Sequence, residues 1–400
     1  MQIPFSSSPR SSLGVEWEIE FVDLETRELR SGASDILQEL AKPYDGEHPK
    51  AKHELLESCV EVITGVCTTV AEAKADLAET LDSVSEAAAR RDLAVMCSGT
   101  HPITDWASQE ISPNPRYFAL VEQMQWLARR LQIFGIHVHV GVRSPEKVIP
   151  IVNALTAYVP HFLALSASSP YWIGADTGLA SSRSKVFEGL PTAGLPYQLS
   201  GWDQFEEFMA TLISAKTIQS VREVWWDIRP HPGFGTVELR ICDGLPTLTE
   251  VGAMAALSQC LVDQLNTHFD RGYTLPTPKS WVIRENKWRA ARYGLDADII
   301  ADERGTTVPV REAVSDLVDE LMPIAERLNC TVELADVKTM LETGASYSRQ
   351  RAVADANGGD LRAVVDSLIE ELRSDKPTVT APAQAPPQPR EPAAVPEAAG

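Results

Sequence analysis

The organised part of the chain opens on an alternation of period two. Val15, Trp17, Ile19 and Phe21 are apolar, and Glu16, Glu18 and Glu20 stand between them. That pattern predicts a strand with one large apolar face and one carboxylate face. Residues 60–64 are β-rich up to Gly65, residues 94–98 read as a further strand, and residues 135–142 alternate aliphatic side chains with His137 and His139. Residues 224–230 and 236–242 read as neighbouring strands joined through Pro232 and Gly233. Helical spacing or composition marks residues 35–40, 70–90, 248–269, 283–293, 310–328, 336–343 and 361–373. Residues 117–130 carry Leu120, Met124 and Leu127 on one stripe, and residues 145–168 predict a helix pair or one apolar helix bent at Pro160. Strands scattered among so many helices predict an α+β protein on an antiparallel sheet.

Residues 170–200 are rich in Gly, Pro, Ser and Thr and predict a long loop of the kind that usually carries function. Seven of the chain's 27 prolines fall in residues 376–400, a composition too poor in core formers to fold. The expected organisation is therefore a flexible N-terminus at residues 1–12, one domain at 13–374 and a disordered Pro/Ala-rich tail at 375–400.

Composition narrows the function. Across 400 residues the formal net charge is −20, which argues against nucleic acid and against an anionic membrane surface as partners. Six cysteines without a CxxC pair read as buried small hydrophobes of a reducing compartment. The start of the chain shows no signal-peptide pattern, and no apolar run was expected to reach a membrane span. The expected location is cytoplasmic.

The chemistry lies on strands whose polar faces carry groups that repel one another. Glu16, Glu18 and Glu20 share one face, His137 and His139 another, and Glu238 and Arg240 a third, while residues 53–61 add Glu54, Glu57 and Glu61. One such strand is an ordinary solvated edge. Several together predict one sheet face lined by carboxylate, imidazole and guanidinium, where the carboxylates need a cation between them. Hard divalent ions take such oxygen donors with an occasional imidazole, and an Arg beside them can grip a phosphate. The chain has no P-loop and no dinucleotide-binding glycine motif, so metal and sheet side chains would have to carry any polyphosphate.

These segments resemble the bacterial carboxylate–amine ligases of the glutamate–cysteine ligase type 2 family. The resemblance runs in order through residues 14–18, His53-Glu54-Leu55 with Glu61, residues 135–141, 183–194, 225–230, 235–240 and 285–295. It implies a glutamine synthetase-like catalytic domain, a curved antiparallel sheet funnel with helices packed outside. It implies ATP and Mg²⁺, glutamate as the acid, cysteine or another amine as acceptor, and a homodimer as one assembly. Carried over by position, Glu16, Glu18, Glu54, Glu61, His137 and Glu238 are metal ligands. His139 lies near the nucleotide phosphates, Arg240 stabilises the transferring phosphoryl group, and Arg183 and Arg229 grip the substrate. Glu20 lies beyond the metal pair, and Glu57 reads as structural. The alternatives are a γ-glutamyl ligase for a different amine, a metal-dependent amidohydrolase on the same fold, and a silent binding protein.

Overall fold

The computed structural model describes residues 2–381. Its strands, in chain order, are β1 (Leu13–Asp23), β2 (Ala51–His53), β3 (Cys59–Ile63), β4 (Leu93–Met96), β5 (Ile136–Gly141), β6 (Tyr171–Trp172), β7 (Ala175–Asp176), β8 (Ile228–His231), β9 (Thr236–Leu239), β10 (Asp298–Ile300) and β11 (Thr307–Pro309). Seven of them make one antiparallel sheet in the order β2-β3-β1-β5-β9-β8, with β4 paired to the far end of β1. The pairs β6–β7 and β10–β11 are separate hairpins. The main sheet is open, and β1 is its axis, an 11-residue strand that pairs with β3, β4 and β5.

The alternation decides which face meets which environment. Val15, Trp17, Ile19 and Phe21 of β1, Val60 and Val62 of β3, Ile136, Val138 and Val140 of β5, and Val237 and Leu239 of β9 are all buried in one core. The helices Val70–Ala89 and Leu248–Asp270 contribute to that core and cover this face. Trp17 is wholly buried and spends its one donor on the Leu245 carbonyl at 3.1 Å. Cutting it back to Ala would cost about 3–5 kcal/mol. Thr69 and Glu72 form a reciprocal capping box that starts the first of these helices, and Thr247 caps the second. The other face of the sheet, with Glu16, Glu18, His137, His139 and Glu238, is left to a cavity.

Several boundaries depart from the sequence pattern. The stripe at 117–130 is two helices, Pro115–Met124 and Trp126–Arg129, broken where Gln125 takes φ 49°. The apolar stretch at 145–168 breaks at a 3-10 turn, Thr156–Tyr158, ahead of Pro160 rather than at it. Contrary to expectation, Pro145–Ser166 is long and apolar enough to cross a membrane, at 22 residues and mean hydropathy 1.6; 78% of its most apolar window is buried inside the fold. The long loop at 170–200 holds the β6–β7 hairpin and a short helix, Arg183–Phe187. Two helices, Trp202–Ser214 and Ser346–Ala356, were not anticipated.

The ends are tied down where the structure describes them. The N-terminal residues run as a strap: Ile3 N–H donates to Glu206, Ser6 N–H to the Pro232 carbonyl, and Arg10 and Ser11 reach Asp263. At the other end Asp375 accepts from Thr249, and Ala381 N–H donates to the Thr343 carbonyl. Residues 382–400, most of the expected tail, lie outside the described residues.

Candidate active site

Strand register builds the site row by row. Across the sheet, Glu16 lies opposite His137 and Ile63, Glu18 opposite Glu61, and Glu238 opposite both His139 and Arg229. Because side chains one strand apart in register point to the same face, these groups converge. They line a cavity of about 910 Å³ together with Glu54, Arg183 and Arg240. All ten residues singled out from the sequence are thus brought to one place.

The contacts within it are tight. His137 Nδ1 lies 2.8 Å from one Glu16 oxygen, and His139 Nε2 lies 3.2 Å from the other. Glu16, His137 and Glu238 form a group whose ligand atoms all lie within 4.8 Å of one another, and Glu18, Glu61 and His137 form a second. His137 belongs to both groups. Two oxygens and a nitrogen per group is a donor set that suits a hard divalent cation completed by water and phosphate oxygens.

Electrostatics separates the carboxylates into two kinds. Burial opposes ionisation of Glu16, but His139 and His137 outweigh it and hold its carboxyl well below the usual range. Glu238 is also held down against its burial, by Arg229 and Arg240. The other three carboxyls are pushed up. Burial and the neighbouring Glu54 raise Glu18 to about 8. Burial and then Glu16, Glu54 and Glu18 raise Glu61 well above its usual value. Burial raises Glu54, and the charge of Glu16 adds to it. His137 falls to about 4 through burial and the positive charge of Arg240, so it is a neutral imidazole at pH 7 with a lone pair to offer.

The arginines differ in what they have left to give. Arg229 has none of its donor groups free: Nε and Nη2 form a fork on Glu238 at 2.9 Å each, and Nη1 serves the carbonyls of Val221, Arg222 and Val224. As placed, it holds Glu238 and the turn at 221–223 while also lining the cavity, where the sequence led one to expect a grip on substrate. Arg183 makes long bonds of 3.3–3.5 Å to the Arg240 and Ile241 carbonyls. Among the described residues, Nε of Arg183 and Nε of Arg240 have no partner although both are buried. Donors of that kind beside a cavity are suited to an anionic ligand.

The sequence reading missed the groups that fix these arginines. Asp243, wholly buried, accepts from Ser168 N–H and from the hydroxyls of Ser169 and Ser181, which seats the segment leading into Arg183. A Cβ at Gly135 would come within 2.3 Å of the Arg183 guanidinium, so a side chain there would push that guanidinium from its place. Lys287, 1% exposed, bridges Asp227 at 2.6 Å and Glu188 at 2.5 Å, tying the β8 approach to the loop after Arg183. Its segment was recognised, but a lysine between charged helix neighbours gives no sign of burial. Glu20 shares the face of Glu16 and Glu18 but is wholly buried beyond the cavity lining, where it takes the N–H and hydroxyl of Ser98, and Glu57 holds Ser34.

Comparison with known proteins agrees with this architecture. The profile described as glutamate-cysteine ligase family 2 matches residues 12–367. A Frankia alni protein named "Putative glutamate--cysteine ligase 2-1" is 65% identical over 380 residues, covering 95% of this chain and 100% of that one. A Thermobifida fusca protein named "Putative glutamate--cysteine ligase 2" is 57% identical over 380 residues, covering 95% of each. Among solved structures, a Francisella tularensis glutamate–cysteine ligase in complex with AMP aligns with TM-score 0.66 at 12% identity, covering 92% of this chain and 90% of that one. A Pasteurella multocida bifunctional glutathione synthetase aligns with TM-score 0.63 at 14% identity, covering 91% of this chain and 52% of that one. At such identities these two structures show a shared fold. The chain belongs to glutamate-cysteine ligase family 2.

Proposed function

From that membership we propose that the protein joins the γ-carboxyl of glutamate to an amine, with ATP and Mg²⁺, through an acyl phosphate. The observation that carries this reading is the pair of overlapping donor groups on one sheet face, with unpartnered guanidinium N–H groups beside them. The donor set fits Mg²⁺: Glu16, His137 and Glu238 would hold one ion, and Glu18 and Glu61, with Glu54 alongside, another. Bound there, the ions would neutralise phosphate oxygens and the carboxylates that now repel one another.

The chain's own residues then divide the work. A γ-carboxylate oxygen of glutamate attacks the terminal phosphorus of ATP, and ADP leaves with the bridging oxygen. On this reading Arg240 would meet the moving phosphoryl charge, and His139, beside Glu238, would meet the nucleotide phosphates. Arg183 offers its free N–H to the bound acid. The amine nitrogen next attacks the acyl carbon, phosphate leaves, and one proton passes from the nitrogen to solvent or a carboxylate. Arg229 acts at one remove, by fixing Glu238.

The relatives' names carry cysteine as the acceptor. The test is ADP and phosphate formation with Mg²⁺, glutamate and an amine, with the amide identified by mass. Amide cleavage without ATP would overturn the ligase reading in favour of hydrolysis.

A further inference from the structure

We infer that the acceptor amine carries a hydrophobic body larger than the CH₂–SH of cysteine. This rests on the ligase reading above and names its second substrate. The argument starts from register, which gives the cavity two ends. From Glu238 and His139, the β8–β9 hairpin continues to Thr236 opposite His231, and then to Phe234. The rings of His231 and Phe234 stack at 4.1 Å and 15°, and Phe234 is 54% exposed. Such an aromatic platform, next to the phosphate-side groups, suits a nucleobase.

The opposite end is built differently. Past Glu16 and His137 come Glu18 and Glu61, and then Gly135 with the Arg183 guanidinium against it. Phe187 follows Arg183 by one helical turn, with the guanidinium 5.8 Å from its ring. Leu131 and Ile133 lead directly into β5, Leu120 comes from the helix Pro115–Met124, and Trp225 precedes β8. All five line the cavity, and Leu120, Leu131, Ile133 and Phe187 remain partly exposed. Tyr117 anchors that helix over the site through its bond to the His53 carbonyl at 2.9 Å.

An apolar wall facing an active-site cavity is costly unless a ligand covers it. The nucleotide belongs at the other end, and glutamate presents carboxylates to Arg183 and the metal groups. The remaining reactant is the amine, and on the ligase reading it takes the end of the cavity beside Glu18 and Arg183 that the nucleotide leaves open. Cysteine would cover little of the wall. A leucine- or phenylalanine-sized body would cover much more, and each added methylene in such a pocket is worth about 10–200-fold in selectivity.

The test separates the two halves of the claim. Hydroxylamine captures an acyl phosphate as the hydroxamate without needing the wall. With glutamate, ATP and Mg²⁺, hydroxamate should form; its absence would overturn the ligase reading and this inference with it. Given hydroxamate, kcat/KM for leucine, phenylalanine or phenylethylamine should exceed that for cysteine at least tenfold. Leu120→Ser, on a surface helix, and Phe187→Ala should lower kcat/KM for the best of these amines, mainly through KM, at least tenfold more than for cysteine. Cysteine equal to or better than all three amines, or equal losses for both classes of acceptor, would overturn the inference while leaving the ligase standing.

Discussion

Two of the buried charge clusters among the described residues are resolved in opposite ways. In the helical layer, Arg349 is 1% exposed and sits between Glu250 at 2.8 Å and Glu371 at 3.0 Å, with a further N–H on the Gly344 carbonyl. Thr247 donates to Glu250, and Thr378 N–H to Glu371. The guanidinium there lies between its carboxylates. On the sheet, Glu18, Glu54 and Glu61 face one another with no Lys or Arg ion pair among the described residues, and burial and mutual repulsion hold all three carboxyls above their usual range. A cluster closed by its own chain serves the fold. One left open has donor atoms that would suit a cation and, beside them, guanidinium N–H groups that would suit an anion.

The sharpest way to break this comparison is to neutralise one member of each cluster. Glu18→Gln should cut phosphate release by about 10²–10³-fold, the scale of removing a charge-stabilising group. Its melting temperature should hold or rise, because the amide cannot ionise in a place where burial and Glu54 oppose a charge. Wild-type-like turnover by this folded variant would remove Glu18 from the site. Glu371→Gln should do the reverse, losing about 3–5 kcal/mol in denaturant titrations as Arg349 is left underpaired. Its turnover per folded molecule should stay at the wild-type level, and a collapse there would tie the helical cluster to catalysis.

Ion binding sharpens the contrast further. At a hundredfold excess over its dissociation constant, Mg²⁺ should stabilise the wild type by about 2.7 kcal/mol. Calorimetry should find that gain reduced in Glu18→Gln and intact in Glu371→Gln. Equal gains in both would mean that the ion binds elsewhere.

The smallest effect concerns Asp263, another buried carboxylate, which Arg10 of the strap and Arg327 pair with. Burial opposes its ionisation, but Arg327, Ser11 and Arg10 together lower its carboxyl below the usual 3.8. A depressed carboxyl contributes stability above the unfolded value and loses it as pH falls through the folded one. Arg10→Ala should therefore cost about 1 kcal/mol at pH 7. That difference should fade as the pH drops below about 4. A difference that persisted in acid would assign the effect to packing.

The sheet and its site were legible for one physical reason. Period-two alternation reports both faces of a strand, so Glu16 and Glu18, His137 and His139, and Glu238 and Arg240 could be read as one lining before any pairing was known. Register and the role of Arg229 were not legible: the fork on Glu238 comes from pairing β8 with β9, and nothing in Asp227-Ile228-Arg229-Pro230 reveals where the donors point. Asp243 and Lys287 were hidden for a similar reason, because their partners lie 60 or more residues away. The helix Ser346–Ala356 escaped notice because Ser, Arg, Gln and Asp dominate it, although Tyr347, Arg349 and Gln350 are buried.

The strap has a practical consequence for anyone handling the protein. Gly235, at φ 65°, is pressed so closely by the Ser6 carbonyl that a Cβ there would lie 1.6 Å from that oxygen, and Ser8 is bonded to the Phe234 carbonyl. The first anchored residue is Ile3. Its anchor is Glu206, and the clasp on the β8–β9 hairpin, the part of the site that carries His231 and Glu238, is made by Ser6 and Ser8, so an affinity tag at the amino end that pulls on this strap pulls on the site. Rates measured with and without such a tag are therefore to be compared before either is taken as the protein's own.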